Sequence, residues 1–132
     1  MKYQTILACC AALVAAVSLP AFLNAADDHD HEVIEGAMKK YHKAPKGTDP
    51  VAKKAAKGEA SEAEIKELLA AYEAMAECKP PRGDKSAWDE RMATLVAATK
   101  DLAAGKDGSV EAFKKAGNCK ACHEEFKPEK KE

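Results

Sequence analysis

The sequence predicts an all-α fold, an antiparallel four-helix bundle, and three observations support this prediction. Apolar residues recur at intervals of three and four from residue 32 onward, which is the period of an amphipathic helix. The chain contains no sustained alternation of β-branched residues of the kind that predicts a strand. Proline and glycine divide the pattern into segments joined by short loops. In a small domain, such segments bury their apolar faces most simply by packing as a bundle.

The first residues have the order that is typical of a secretory signal peptide. A basic start at Lys2 is followed by the apolar run 6–17, and small residues precede an acidic stretch that begins at Asp27. We predict that residues 1–26 are removed and that residues 27–132 form one domain, in the periplasm or exported elsewhere. The apolar run is shorter than the about 20 residues of a membrane span, so no stable span is expected after cleavage. An uncleaved N-terminal anchor is the alternative.

The first two main helices are predicted from their start and stop signals. The first covers 32–44 and ends before a proline and a glycine. A short helical piece follows, with Pro50 at its first helical position and Gly58 at its end. The second main helix opens with a capping box, in which Ser61 and Glu64 satisfy each other's backbone groups, and it ends at two consecutive prolines.

Two further helices complete the prediction. Ser86 caps the third main helix, which ends at a pair of glycines, and Ser109 opens the fourth, which ends before Pro128. Aromatic residues make up 5% of the chain, so a core built from protein alone would consist mostly of alanine, leucine and methionine. A buried cofactor would supply the missing bulk.

The most specific signal is a Cys-x-x-Cys-His motif in the second half of the fourth helix, formed by Cys119, Cys122 and His123. This motif attaches a c-type haem, because two thiols add to the two vinyl groups at one edge of the porphyrin and the imidazole reaches the iron. On a helix the three side chains stand at i, i+3 and i+4 and share one face. We therefore predict one covalently bound haem c, attached through Cys119 and Cys122, with His123 as an axial iron ligand.

Of the other functions that these cysteines could have, one stays as an alternative to haem attachment. Removal of the signal peptide leaves three cysteines, which two thioethers and an unused Cys78 account for. A thioredoxin-type redox pair would need a βαβ setting, which the helical pattern does not provide. A zinc site would need four ligands, with Cys78 as the fourth. A non-haem, metal-binding helical bundle is therefore the alternative to a haem protein.

The run from Asn118 to Lys127 resembles the C-terminal helix of the class II c-type cytochromes, the cytochrome c prime family. The likeness includes Phe126, an aromatic residue three positions after the histidine, and the basic residue that follows it. Over the rest of the chain, helix order and loop placement agree loosely. The resemblance implies that Lys127 lies near the imidazole of His123 and that the first helix covers the other face of the haem. It also makes a homodimer through the first two helices an expectation.

The sixth iron ligand is open among three alternatives. Some members of the family leave the second face open and bind small gases such as NO or CO, whereas others place a methionine there and carry electrons. Segment 35–39 matches the region where that residue falls, so the resemblance favours Met38 and a six-coordinate, low-spin member. His42 lies one turn further along the same face, and imidazole is a good iron ligand. The third alternative is an open site.

Composition and charge argue against some classes of function. The chain carries 21 Lys and Arg against 22 Asp and Glu, and loss of Lys2 with the signal peptide changes the formal charge from −1 to −2. No basic stripe interleaved with aromatics is present, so nucleic acid is not an expected partner. No acid–base pair or nucleophilic triad is apparent, so we do not expect an enzyme. We expect a monohaem carrier that exchanges single electrons with redox partner proteins outside the cytoplasm. A five-coordinate haem protein that binds NO or CO is the alternative.

Overall fold

A computed structural model describes residues 22–129, and the regular structure within this range is entirely helical, which confirms the all-α prediction. No helix in that range has the length and apolar character required to cross a membrane. The predicted signal peptide lies outside the described residues except for its last five, so its removal stays a prediction. The helices are α1 (Phe22–Tyr41), α2 (Val51–Lys57), α3 (Glu62–Glu77), α4 (Lys85–Ala103), α5 (Ser109–Ala116) and α6 (Cys119–Phe126).

Helix α1 differs from the predicted segment 32–44 at both ends. It begins earlier, at Phe22, and so runs across the predicted cleavage site. Tertiary contacts offset the low helix propensity of its acidic part, since the Asp30 carboxylate accepts the backbone N–H of Lys79 at 2.9 Å. The helix ends at Tyr41, before the proline at position 45 that disfavours helical geometry in the residue preceding it.

The predicted end of α2 and the predicted capping box of α3 are confirmed, whereas Pro50, predicted at the first helical position of α2, is its N-cap, and the helix begins at Val51. Gly58 ends α2 in the left-handed conformation, with φ of 73°, and its N–H bonds back into the last turn. Ser61 and Glu64 form the capping box at the start of α3, because each side chain accepts a hydrogen bond from the backbone N–H of the other residue. The last residue of α3, Glu77, precedes the first of the two prolines by three positions.

The prediction of Ser86 as the cap of the next helix is wrong. Asp84 is the N-cap of α4, and its carboxylate accepts the backbone N–H groups of Ser86 and Ala87 at 3.1 and 3.2 Å. The Ser86 hydroxyl donates to the same carboxylate and so lies inside the first turn. A carboxylate satisfies two orphan donors there and also suits the positive end of the helix dipole.

The prediction of one continuous fourth helix is also wrong. The chain breaks at Gly117 and Asn118 into α5 and α6, so the Cys-x-x-Cys-His motif begins a new helix and does not lie in the second half of a longer one. The side-chain oxygen of Asn118 accepts the backbone N–H of Ala121 at 3.2 Å and caps α6.

The core forms mainly between α3 and α4, which share the largest helix interface, and α4 also packs on α5. Helix α1 packs chiefly on α3, and α2 contacts α5 and α3. Trp88 is 2% exposed and its indole N–H donates to the Met75 carbonyl at 3.2 Å, so its polar atom is satisfied inside the core. The largest fully buried side chains are those of Trp88, Tyr72, Phe126, Leu68, Met92 and Thr99.

The loop between α3 and α4 fixes α6 against this core. The ring of Phe126, the last residue of α6, meets the indole of Trp88 edge to face, with 5.1 Å between ring centroids. Gly83 in the loop has φ of 85°, and a Cβ at this position would lie 2.9 Å from Phe126 Cδ1. Glycine is therefore required at position 83 both for its backbone conformation and for the close approach of the ring.

Replacement of Gly83 by alanine should destabilise the protein more than replacement of Gly47. Both glycines have a positive φ, of 85° and 91°, which costs an alanine about 1–2 kcal/mol. Gly83→Ala should lose at least about 1 kcal/mol more, because the new methyl group displaces the Phe126 ring. In the described part of the chain, nothing lies within 4 Å of a Cβ at Gly47. Urea unfolding followed by circular dichroism measures both, and equal losses would contradict the contact.

Candidate functional site

A cavity of about 450 Å³ lies where α1, α3, α4 and the α5–α6 region meet, and it contains all five sequence-predicted site residues. Its volume is within the range of small-molecule and cofactor sites. The predicted attachment residues Cys119 and Cys122 and the predicted ligand His123 line it from α6, and the two candidate sixth ligands line it from the end of α1. These two are Met38 and His42.

The three motif residues share one face of α6 but differ in exposure. Cys122 is half-buried, whereas Cys119 and His123 are exposed at the mouth of the cavity. The Asn118 cap fixes the first turn, and the Cys122 N–H bonds to the Asn118 carbonyl at 3.2 Å, so both cysteines follow regular helical geometry. An incoming group could therefore meet both sulfurs and the imidazole at the solvent side of the cavity.

Burial affects the two thiols differently. Burial raises the pKa of the Cys122 thiol, and the positive charge of Arg91 opposes this shift only in part. The exposed Cys119 thiol donates to the Gly117 carbonyl at 3.4 Å. Neither cysteine is in a disulfide, so both sulfurs are available for covalent modification.

Met38 and His42 enter the cavity one helical turn apart. The backbone N–H of His42 donates to the Met38 carbonyl at 3.2 Å, which continues the helical pattern one residue beyond α1. Both residues are half-buried, and the Met38 side chain packs against the core cluster. Their common place in the cavity does not choose between them as ligands, and the sixth ligand stays a prediction at this point.

His42 is bound by a tyrosine from the neighbouring helix. The hydroxyl of Tyr72 lies 3.0 Å from Nε2 of His42, and the two rings are 5.8 Å apart between centroids. Burial, with a smaller effect from nearby His123, lowers the pKa of His42 to about 4, so its imidazole is neutral at neutral pH. Burial also raises the pKa of Tyr72, whose phenol stays protonated. His42 is thus an uncharged, hydrogen-bonded group in the wall of the cavity.

The wall of the cavity is otherwise largely apolar and suits a flat hydrophobic cofactor. The Tyr72 ring, itself stacked on Phe113 at 6.4 Å, and the Trp88 indole provide rigid aromatic surfaces. Thiol, imidazole and thioether groups are the donors found in haem attachment and ligation, and this cavity contains all three. The residues present therefore fit a haem. The aliphatic and methionine side chains of the lining are those of Ile34, Met38, Met75, Met92, Leu95 and Ala116.

Cationic residues predominate among the charged groups around the cavity. Among residues 22–129, Lys43, Arg91 and Lys127 line it together with one carboxylate, that of Glu35. Glu35 forms a 2.8 Å ion pair with Lys39, and Arg91 pairs with Glu125 at 3.3 Å. Positive side chains at the rim suit a ligand that combines an apolar body with acidic groups.

Arg82 anchors the C-terminal end of α6, the helix whose first residues carry the motif. Its guanidinium donates to the backbone carbonyl of Glu125 at 3.2 Å and to that of Glu124, both of which lack intrahelical partners at a helix end. The positive charge also matches the negative end of the helix dipole. Together with the Phe126 contact, Arg82 determines where α6 presents its cysteines.

Cys78 belongs to a different part of the molecule. It is buried at the C-cap of α3, and its thiol donates to the Ala74 carbonyl at 3.3 Å. Burial, followed by the nearby Asp30 carboxylate, raises its pKa. Within residues 22–129 no group of three or more His, Cys, Asp or Glu side chains is arranged to hold a metal ion. The described residues therefore give no support to a zinc site completed by Cys78.

Sequence reasoning missed the roles of Arg82 and Arg91. The run Pro-Pro-Arg-Gly-Asp indicates a turn, but nothing local in it indicates that the arginine reaches carbonyls more than forty positions away. Arg91 occupies an ordinary outward position in a helical pattern and lines the cavity because α6 packs beside it. Tyr72 is recognisable as an inward-facing residue, whereas its hydrogen bond to His42 depends on the tertiary structure.

Comparisons of the chain with protein-family models, with curated proteins and with solved structures found no match in any of the three.

Arg82→Ala should weaken the anchoring of α6 more than Arg91→Ala. Loss of two charge-assisted hydrogen bonds to backbone carbonyls should lower the free energy of unfolding by about 1–2 kcal/mol. The Arg91–Glu125 pair joins two partly exposed side chains and should contribute about 0.5 kcal/mol or less. Hydrogen exchange of the α6 amides, compared with exchange in α3, measures the local effect. Equal protection of α6 in both variants would contradict the anchoring role.

Proposed function

We propose that this protein is a monohaem c-type cytochrome of the class II type, which carries single electrons between redox partner proteins outside the cytoplasm. One observation carries the proposal: the two cysteines and the histidine of the Cys-x-x-Cys-His motif line the same largely apolar cavity as Met38 and His42. A Cys-x-x-Cys-His motif that had arisen by chance would not be expected to line an apolar cavity of cofactor size.

Each residue of the site has a specific role in this proposal. The thiols of Cys119 and Cys122 hold the haem covalently, the imidazole of His123 binds the iron, and Met38 or His42 completes the coordination. The haem, when bound, supplies the one-electron iron couple. The apolar wall that contains Trp88 excludes water and so favours the less charged, reduced state of the cofactor.

We also propose an architecture and a cellular location for this cytochrome. Helices α1, α3 and α4, with α5 and α6 together as the fourth element, would form an antiparallel four-helix bundle around the haem. Removal of residues 1–26 would place the protein in the periplasm or otherwise outside the cytoplasm, where the haem of c-type cytochromes is attached. A homodimer through the first two helices remains part of the proposal on the strength of the family resemblance.

Intact mass after export with a working haem-maturation system tests the attachment. The mass of the protein should exceed that of its chain by one haem, and Cys119→Ser/Cys122→Ser should lose the added mass because both thioether bonds are removed. Cys78→Ser is the matched control and should keep the haem, since Cys78 is buried at the end of α3. Exported protein without any haem would sink the proposal and favour the non-haem bundle.

Optical spectra of the same material distinguish the electron carrier from the gas-binding alternative. A six-coordinate iron should give low-spin spectra in both oxidation states and should change slowly, or not at all, when carbon monoxide is added to the reduced protein. An immediate change would instead support the five-coordinate gas-binding alternative.

Loss of the haem should loosen the fold. The cavity of about 450 Å³ would be left without its occupant, and apolar walls without packing partners reduce stability. The Cys119→Ser/Cys122→Ser chain should therefore melt at a lower temperature than the haem-bearing protein and over a broader range, as followed by circular dichroism. A sharp melt with the helix content of the haem-bearing form would contradict this dependence.

A further inference from the structure

The contact between Tyr72 and His42 bears on which residue completes the iron coordination. Tyr72 lies in the middle of α3, is 1% exposed, and places its hydroxyl 3.0 Å from Nε2 of His42. His42 and Met38 line the same cavity, so the contact involves one candidate ligand and leaves the other untouched.

We propose that Tyr72 is a positioning residue that keeps His42 hydrogen-bonded and thereby leaves the sixth coordination position to Met38. This inference rests on the proposed function, because it concerns the ligand of a haem held by Cys119 and Cys122. It assigns to Tyr72 a role that decides between the two candidates.

The direction of the hydrogen bond follows from the surroundings of Tyr72. A buried hydroxyl hydrogen needs an acceptor, and in the described part of the chain the partner of this hydroxyl is His42. Tyr72 therefore donates and Nε2 accepts, which places the imidazole proton on Nδ1. In this tautomer the lone pair of Nε2 is engaged by Tyr72, and Nδ1 carries a proton. Neither ring nitrogen is then free to bind a metal, which takes neutral imidazole through a lone pair.

No comparable hydrogen bond competes with iron for the sulfur of Met38. A thioether has no proton to place and is at most a weak hydrogen-bond acceptor, so its sulfur lone pairs are available without the loss of a buried hydrogen bond. Ligation by His42 would instead leave the Tyr72 hydroxyl buried and unpaired, which is unfavourable. The hydrogen bond thus opposes His42 as a ligand and has no comparable effect on Met38.

Tyr72→Phe tests the inference because it removes the hydroxyl and keeps the ring that stacks on Phe113. The haem-bearing wild-type protein should show the ferric sulfur-to-iron charge-transfer band in its magnetic circular dichroism. In Tyr72→Phe the freed His42 should replace Met38, because ferric iron prefers imidazole to a soft thioether. The band should then disappear in favour of a bis-imidazole signature, and the reduction potential should fall, since thioether ligation raises it.

Two further variants make the result specific. Tyr72→Phe/His42→Ala should regain the thioether band, because the competing imidazole is gone. Tyr41→Phe is the matched control, since that tyrosine is also buried and its hydroxyl contacts the Glu67 carboxylate at 3.4 Å. It should leave both the spectrum and the potential unchanged.

Each remaining outcome overturns the inference. A wild-type protein with bis-imidazole or five-coordinate iron would show that Tyr72 does not reserve the position for Met38. A Tyr72→Phe variant that keeps the thioether band and the wild-type potential would show that the hydroxyl is irrelevant to ligand choice. In these cases the haem is still attached, so the proposed function survives. If the mass of the wild-type protein showed no haem, both the proposed function and the inference about Tyr72 would be overturned.

Discussion

The anchoring of α6 is the constraint on which the rest of the site depends. All three residues of the motif lie on a helix of eight residues, a length at which an isolated helix is unstable in water. Its position therefore comes from tertiary contacts: Phe126 in the core against Trp88, Arg82 on the terminal carbonyls, and the Gly83 backbone against the ring. Each of these contacts therefore helps to determine where the cysteines face.

The cavity is lined by side chains from α1, α3, α4 and α6, and each helix contributes a different kind of group. Helix α6 supplies the proposed attachment residues, α3 and α4 supply the aromatic and aliphatic wall, and the end of α1 supplies both candidate sixth ligands. The wall is rigid because its largest members are fully buried and their polar atoms are satisfied, as in the indole of Trp88 bonded to Met75. The end of α1 is connected to that wall through the hydrogen bond between His42 and Tyr72. Geometry at the site is therefore a property of the whole packing arrangement.

Local signals were sufficient to predict part of this structure. The capping box of Ser61 and Glu64, the glycine that ends α2 and the helical face shared by the motif residues all depend on residues within four positions of one another. The predictions were wrong or incomplete where distant residues, or two residues that compete to cap a helix, determine the structure. Asp84 displaces Ser86 as a cap because it can accept two N–H groups, and α5 ends at Ala116 with Gly117 as its C-cap, so the fourth helix is interrupted before the motif. The reach of Arg82 to α6 spans 43 positions and has no local signature.

The attachment of α1 to the body of the protein has a mechanical consequence. Its main interface is with α3, and two ion pairs beside that interface, Lys40 to Glu67 and Lys79 to Asp27, join exposed side chains. Exposed ion pairs are weak and are screened by salt. Helix α1 is held mainly by its apolar face, because Ala37 and Tyr41 are buried in the core and Met38 packs against it. Salt therefore weakens only the outer edge of this attachment, and the apolar contact that lines the cavity stays in place.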